Sequence, residues 1–334
     1  MKKIRLSFAN FQIEFADRDL ALRRVEEWAE RGMTVVHVVY GPEGCGKTAW
    51  LRQSAVLLRE LGFHVIYVDA LHRYFEAYTD VKEVAKKLAE AAAEAVDIAQ
   101  LKLATLAIDL AKELIKRRKR KVAVLAEDVF SAIGLDKAAI YVKGLLGLIE
   151  YPPGDYDAMI TIATTSEGAS KREIGRHRWA YLDAMWNMPR DGFKQLYDQL
   201  PGEKPPFDDV WKTTGGNPKL LGQLYEFGWD VEKLVQRLVE DRELASFSLL
   251  KWGSWLKTAV EDPDVLWSPD TPRELVEELI RKNLIIYNLH SRDPYFWIDV
   301  PPPEKDLGLC IGKHVAWQTP LHKEAVKRVL TQHD

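Results

Sequence analysis

The stretch Thr34-Val35-Val36-His37-Val38-Val39-Tyr40-Gly41-Pro42-Glu43-Gly44-Cys45-Gly46-Lys47-Thr48-Ala49 decides how this chain folds. Residues 34–40 are rich in valine with little polar alternation, the pattern of a strand covered on both faces. Glycines at 41, 44 and 46 then break the run. From Lys47 the apolar positions Leu51, Ala55 and Leu58 recur at helical spacing until Gly62. A second apolar run, 64–68, stops at Asp69, completing a strand, glycine-rich turn, helix and strand. Upstream, residues 20–31 place Leu22, Val25 and Trp28 on one face of a further helix.

The turn fits G-x-x-x-x-G-K-[ST] between a buried strand and a helix, where phosphate chemistry needs it. Glycines let successive N–H groups converge on phosphate oxygens, and the helix beginning at Lys47 adds the positive end of its dipole. The expected nucleotide-binding set is therefore Gly41, Pro42, Glu43, Gly44, Cys45, Gly46, Lys47, Thr48 and Ala49. Lys47 would reach the β- and γ-phosphates, and the Thr48 hydroxyl would bind Mg²⁺. Cys45 reads as structural. ATP with Mg²⁺ is the expected ligand pair.

Mg·ATP chemistry also needs an acid at the end of a neighbouring strand to hold the metal and another to polarise water. Val122-Ala123-Val124-Leu125-Ala126-Glu127-Asp128 supplies both. The order common in P-loop hydrolases is Asp then Glu. Here it is reversed, so Glu127 takes the metal position and Asp128 the water-activating one, while either could instead cap the following turn. Asp69 is a weaker metal candidate or a turn cap. Thr164-Thr165-Ser166 ends another apolar run, and Thr165 is the candidate for contact with a γ-phosphate or attacking water. Arg172, Arg176 and Arg178 follow; Arg176 is taken as an arginine finger, with a solvated loop charge as the plain alternative.

Residues 80–120 form a long alanine-rich helical stretch, expected to break near Asp97 into two packed helices. Strands are expected at 122–126 and 159–163, separated by a helix at 137–149 and the turn Pro152-Pro153-Gly154. Alternation of these elements implies a parallel sheet flanked by helices. Beyond residue 170 the strand signal fades, and helices are expected at 190–200, 207–212, 219–227, 231–240 and 244–260. Thr271-Pro272-Arg273-Glu274 reads as a capping box opening a helix to Lys282. Strands at 284–289, 295–300 and 314–318 and a last helix after Thr319-Pro320 suggest a winged-helix unit. The expectation is an α/β P-loop domain over 1–170, with a helical insertion at about 80–120. A helical lid over 171–262 and a winged-helix-like domain over 263–334 follow.

The 334 residues are 47% hydrophobic and 29% charged, which excludes disorder and low complexity. With 47 Lys and Arg against 50 Asp and Glu, no overall field draws the chain to nucleic acid or anionic lipid. Two distant cysteines suit a reducing compartment, and no apolar run approaches the roughly 18 residues that span a bilayer. A cytoplasmic protein without a membrane partner is expected. The run Lys116-Arg117-Arg118-Lys119-Arg120-Lys121 could neutralise phosphates but equally closes a helix where cations favour the dipole. DNA binding is therefore possible without being favoured.

Taken together, Phe15-Ala16-Asp17-Arg18-Asp19, the phosphate-binding turn, the acid-ended strand and Thr214-Gly215-Gly216-Asn217-Pro218 resemble archaeal ATPases of the STAND class, relatives of the AAA+ proteins. The resemblance implies that Pro218 starts a lid helix near the nucleotide and that Arg18 lies in the segment approaching the base. It also implies a molecular switch that hydrolyses ATP to ADP and phosphate and acts on an unknown protein partner, as a monomer or a nucleotide-dependent oligomer. An origin-recognition-like DNA-associated ATPase and a small-molecule kinase are the alternatives.

Overall fold

The computed structural model describes residues 2–82, 84, 86, 90, 100–166, 168–246 and 251–332. The chain divides into two compact units.

The first unit contains residues 19–40 and 47–183 with the first few residues of the chain. Two strands, β1 (Arg5–Phe8) and β2 (Phe11–Glu14), precede it in sequence and belong to the second unit. Its own strands are β3 (Val36–Tyr40), β4 (His64–Asp69), β5 (Tyr74–Tyr78), β6 (Lys121–Glu127), β7 (Ala158–Thr165) and β8 (Ala180–Ala184). The sheet order is β5-β4-β6-β7-β3-β8. The four strands β4, β6, β7 and β3 run parallel, with Ile66 opposite Val124, Val124 opposite Thr161 and Val38 opposite Ala163. Every residue of β7 is buried, as the continuous apolar run requires of a strand covered on both faces.

That burial explains a difference from the expected neighbour relation. The acid-bearing β6 does not lie beside β3; β7, buried throughout, takes the place between them. Two strands of this sheet escaped the sequence reading, as did the β1–β2 hairpin. β5 pairs antiparallel with β4 and is largely half-exposed, so it lacks a clean apolar period, and β8 lies in the region read as strandless. Helix Gln100–Lys116 sets Leu103, Ala107, Leu110 and Leu114 into the unit's core with Tyr141, Val142 and Leu145 from helix Leu135–Glu150. Burying each such leucine stabilises by about 1.5–3 kcal/mol. The expected break near Asp97 lies outside the described residues. Helix Lys47–Glu60 ends where Gly62 adopts φ +83°.

The second unit contains residues 5–18, 41–46 and 184–334. Its hairpin of β1 and β2 turns through Ala9 and Asn10, both at positive φ, as a tight two-residue turn demands. Helices Arg190–Asp198, Phe207–Thr214, Pro218–Glu226, Val231–Asp241, Gly253–Glu261, Arg273–Arg281 and Pro320–Gln332 surround one core that includes Phe193, Leu221, Leu234, Leu275 and Trp317. Part of the expected helix 244–260, residues 247–250, lies outside the described residues. β9 (Ile285–Tyr287) and β10 (Val315–Trp317) pair antiparallel.

Two local expectations in this unit are corrected. Residues 295–300 do not form a strand: Asp293 caps the Tyr295 N–H at 2.9 Å, and Pro294 opens a short 3-10 turn. The capping box at Thr271 is not formed either, because its hydroxyl donates to the Val265 carbonyl at 2.7 Å instead.

Candidate nucleotide-binding site

Residues 41–46 leave strand β3 as a loop whose backbone requires glycine at Gly41 and Gly44. A Cβ on Gly41 would stand 1.9 Å from the Met185 carbonyl oxygen. Gly44 has φ +76°, and a Cβ there would meet Lys219 Cβ at 2.3 Å. Around the loop, within the second unit, stand residues from distant segments. The Lys219 N–H donates to the Gly44 carbonyl at 3.2 Å, and Asn217 Nδ2 donates to the Glu43 carbonyl at 2.9 Å. Asn217 also caps its own helix by accepting from the Leu220 N–H at 3.1 Å. Pro218 Cγ and an Arg18 nitrogen both lie 3.9 Å from where a Gly46 side chain would begin.

Arg18 is buried with φ +68°. Its guanidinium donates to the Cys45 carbonyl at 2.5 Å, to the Trp186 carbonyl at 2.9 Å and to the Asp299 carboxylate at 2.6 Å. The Asp299 charge compensates the cation where water cannot. Cys45 is buried, with its Sγ 3.8 Å from the Met185 carbonyl, and Pro42, three residues earlier, is buried as well.

Lys47, Thr48 and Ala49 begin helix Lys47–Glu60 in the first unit; Lys47 is buried and Thr48 exposed. Thr48 hydrogen-bonds the Glu127 carboxyl group at the end of β6. The Tyr67 hydroxyl also donates to Glu127, and the Arg52 guanidinium stands 3.9 Å away. Burial pushes the Glu127 pKa up, and the nearby Asp69 charge adds to the rise against the lowering effects of Thr48, Tyr67 and Arg52. Asp69, level with Glu127 in the strand register, accepts from the His72 N–H at 3.0 Å and so caps the turn after β4.

Asp128 adopts φ +39°. Its N–H donates to Thr164 Oγ1 at 3.1 Å, while its Oδ1 accepts from Ser131 Oγ at 3.2 Å and from the Ser166 N–H at 3.3 Å. The structure thus ties Asp128 to the end of β7 through Thr164 and Ser166. Thr165 is fully buried and stands opposite Tyr40, the last residue before the glycine loop. Arg176 lies just past the helix Gly168–Gly175, with its side chain 71% exposed and its guanidinium 3.1 Å from Glu173. Arg178 is exposed as well.

Several site residues carried no sequence signal of their own. Tyr67 could have been suspected, because two residues before Asp69 on one strand puts both on the same face. Lys171 has its ammonium 4.4 Å from the Tyr40 ring centroid, and burial lowers its pKa to about 8. No cluster of three His, Cys, Asp or Glu side chains among the described residues could hold a metal unaided. Thr48 and Glu127 nevertheless fit Mg²⁺, which is commonly held by one or two carboxylates together with substrate phosphates.

The model of a family described as an ATPase domain predominantly from Archaea matches residues 15–224. The chain belongs to this family. It is an ATP-binding P-loop ATPase, with a mainly parallel sheet flanked by helices. No curated protein matches it significantly. Among solved structures it is similar to the ORC2 protein of Aeropyrum pernix in ADPNP-ADP complexes, at 11% identity and TM-score 0.43 over 95% of this chain and 93% of that one. It is similar to Cdc6p from Pyrobaculum aerophilum at 12% identity and TM-score 0.39 over 95% and 94%. AMPPCP-bound DnaA from Aquifex aeolicus aligns at 18% identity and TM-score 0.38 over 80% and 78%. Likeness at these levels says nothing of what the present ATPase contacts. None of its described helices is long and apolar enough to cross a membrane.

Proposed function

We propose that this ATPase is a nucleotide-dependent molecular switch of the STAND type, hydrolysing Mg·ATP to ADP and phosphate and passing the state of its phosphate site to the segment 184–334. One observation carries the reading: within the second unit, residues 41–46 of the phosphate loop are hydrogen-bonded to Arg18, Asn217 and Lys219, so the form of the loop is tied to the segment 184–334. A ligand that favours one form of the loop therefore has differential contacts with the states of that segment, which is what a switch requires.

In this reading the loop amides and Lys47 bind the phosphates, and Pro218 and Arg18 border the loop on the nucleotide side. Thr48 and Glu127 hold Mg²⁺, which when bound neutralises charge developing on the transferred phosphoryl group. Asp128 orients and deprotonates the attacking water, and Thr165 positions it. The place of Asp128 at the β7 end beside Thr164 and Ser166 supports that role, since the ends of parallel strands face the ligand crevice. Arg176 serves a neighbouring copy, consistent with its exposure. Residues 171–262 act as lid and 263–334 as a winged-helix-like output.

The DNA-associated alternative would draw on the basic run, three of whose cations are engaged in surface ion pairs. Arg117, Lys119 and Arg120 are paired with Glu113, Asp80 and Asp157 at 2.8, 2.8 and 2.5 Å. The test is chromatography of nucleotide released by acid from freshly purified protein, beside a phosphate-release assay with and without duplex DNA. Retained ADP with turnover indifferent to DNA supports the switch. An empty site with DNA-stimulated turnover overturns it in favour of the DNA-associated reading.

A further inference from the structure

Glu43 occupies a motif position at which the phosphate chemistry makes no demand on the side chain. A residue free to vary on an exposed turn would ordinarily extend into water. Here the carboxylate is drawn inward instead. One oxygen accepts from Lys219 Nζ, and the other accepts from the Arg242 guanidinium and from Asn283 Nδ2, the last at 3.0 Å. The Glu43 main chain is held too, its N–H donating to Gln318 Oε1 at 2.9 Å and its carbonyl accepting from Asn217 Nδ2. Gln318 Nε2 donates in turn to Asn283 Oδ1 at 2.7 Å, closing a ring of hydrogen bonds from the Glu43 backbone to its own carboxylate.

Five residues from four separate segments of the second unit thus converge on one loop residue. The charges agree with the geometry. Burial alone would raise the Glu43 pKa, but Lys219 and then Arg242 outweigh it and hold the group at about 2, so it stays ionised at every working pH. His322, buried alongside and accordingly neutral, brings no competing cation. The adjoining Gly44 carbonyl is fixed by the Lys219 N–H, so one residue grips the loop through both main chain and side chain.

We propose that Glu43 is a positioning residue for nucleotide binding: its carboxylate, fastened by Lys219, Arg242 and Asn283, holds the loop 41–46 in the form that receives phosphate. Affinity for ATP thereby depends on the packing of residues 217–242 against the 283 and 318 segments. The inference rests on the nucleotide-binding reading of the loop. Its direction follows from pre-organisation, because a loop already fixed does not lose its conformational freedom when the ligand arrives. The opposite expectation is equally concrete. If Glu43 only withheld Lys219 and Arg242 from the phosphates, or repelled them, neutralising it would tighten binding.

The experiment measures Mg·ATP and Mg·ADP affinity by calorimetry for the full chain and for Glu43→Gln, Lys219→Met, Lys219→Arg and the double variant Glu43→Gln/Lys219→Met. Melting without nucleotide is recorded for each. Glu43→Gln and Lys219→Met are each expected to weaken both nucleotides tenfold or more, and the double variant no more than the weaker single. Lys219→Arg, which keeps the charge and the reach, is expected to restore affinity to within about threefold. A purely structural role would lower melting without this pattern of coupling and rescue. Unchanged or tighter binding by Glu43→Gln overturns the proposal, as does a double variant whose loss is the product of the single losses. Should Glu43→Gln fail to fold, the half-exposed Lys219 pair of variants decides alone. Absence of any binding by the unmodified chain would instead overturn the nucleotide reading itself, a result distinguishable from both.

Discussion

Replacing Arg18 by methionine removes a cation from a place where its partner has no water to turn to. Both Arg18 and Asp299 side chains are 2% exposed and 2.6 Å apart. Breaking one side of a buried pair leaves an uncompensated charge, at a cost of about 3–5 kcal/mol. The Cys45 and Trp186 carbonyls also lose their Arg18 donor, each adding about 1 kcal/mol. For a body of this size, the melting transition should fall by on the order of 10 °C or more. Urea unfolding followed by tryptophan fluorescence is well placed to see it, because the Trp186 and Trp297 rings lie 6.4 Å apart beside the pair. The double variant Arg18→Met/Asp299→Leu should recover most of the loss, leaving about 1–2 kcal/mol for the two carbonyls. An Arg18→Met protein within about 1 kcal/mol of the parent, or a double variant no more stable than the single one, would refute the argument that charge compensation is what holds Arg18 against the loop.

Other outcomes follow from the same geometry. Lys47→Ala should lose at least a hundredfold in ATP affinity while melting normally without nucleotide; retained affinity would mean that the loop binds something else. Asp128→Asn should keep Mg·ATP binding and lose turnover, whereas Glu127→Gln should weaken the dependence on Mg²⁺, and the reverse pattern in a phosphate-release assay would exchange their roles. Gly44→Ala should weaken nucleotide binding and destabilise by about 1–2 kcal/mol, since positive φ and the Lys219 contact both oppose a side chain. Acid should destabilise in two stages read from urea midpoints. Burial lowers the His322 pKa to about 3 from 6.5, so unfolding takes up a proton there and stability falls as pH drops below 6.5. Glu43, held at about 2 against 4.5, adds stability that is present above pH 4.5 and lost toward pH 2, and Glu43→Gln should remove that second stage. A midpoint constant from about pH 7 to about pH 4 would contradict the first.

The sheet and its glycine loop were legible because their signals are local. Valine-rich runs name strands buried on both faces, and three glycines ahead of Lys-Thr name a phosphate turn. β5 was not legible: Tyr74–Tyr78 is half-exposed, and its strand state follows from an edge that β4 offers. The order of β6, β7 and β3 was not legible either, since hydropathy ranks strands by burial without stating neighbours. At the site, adjacent residues defeat a one-dimensional reading. Thr164 and Thr165 are equivalent hydroxyls in the sequence, and only the fold shows that Thr164 Oγ1 accepts from the Asp128 N–H. The grip on Glu43 was hidden for a different reason. Lys219, Arg242, Asn283 and Gln318 are scattered over about a hundred residues, each an ordinary polar side chain until the second unit folds.

The make-up of that unit has a consequence for how the chain is synthesised. Its hairpin residues Leu6, Phe8, Phe11 and Ile13 belong to a core otherwise built from residues 188–330. At a translation rate of roughly 5–20 residues per second, they wait on the order of 10–60 s after leaving the ribosome before their partners emerge. During that interval the glycine loop also lacks the residues that grip it, so a nascent chain ending within the first unit has its sheet but not a finished phosphate site. Ribosome-bound chains halted far enough beyond residue 183 for β7 to clear the exit tunnel should therefore resist proteolysis within strands β3, β4, β6 and β7 while remaining open to cleavage at residues 5–18 and in the loop 41–46.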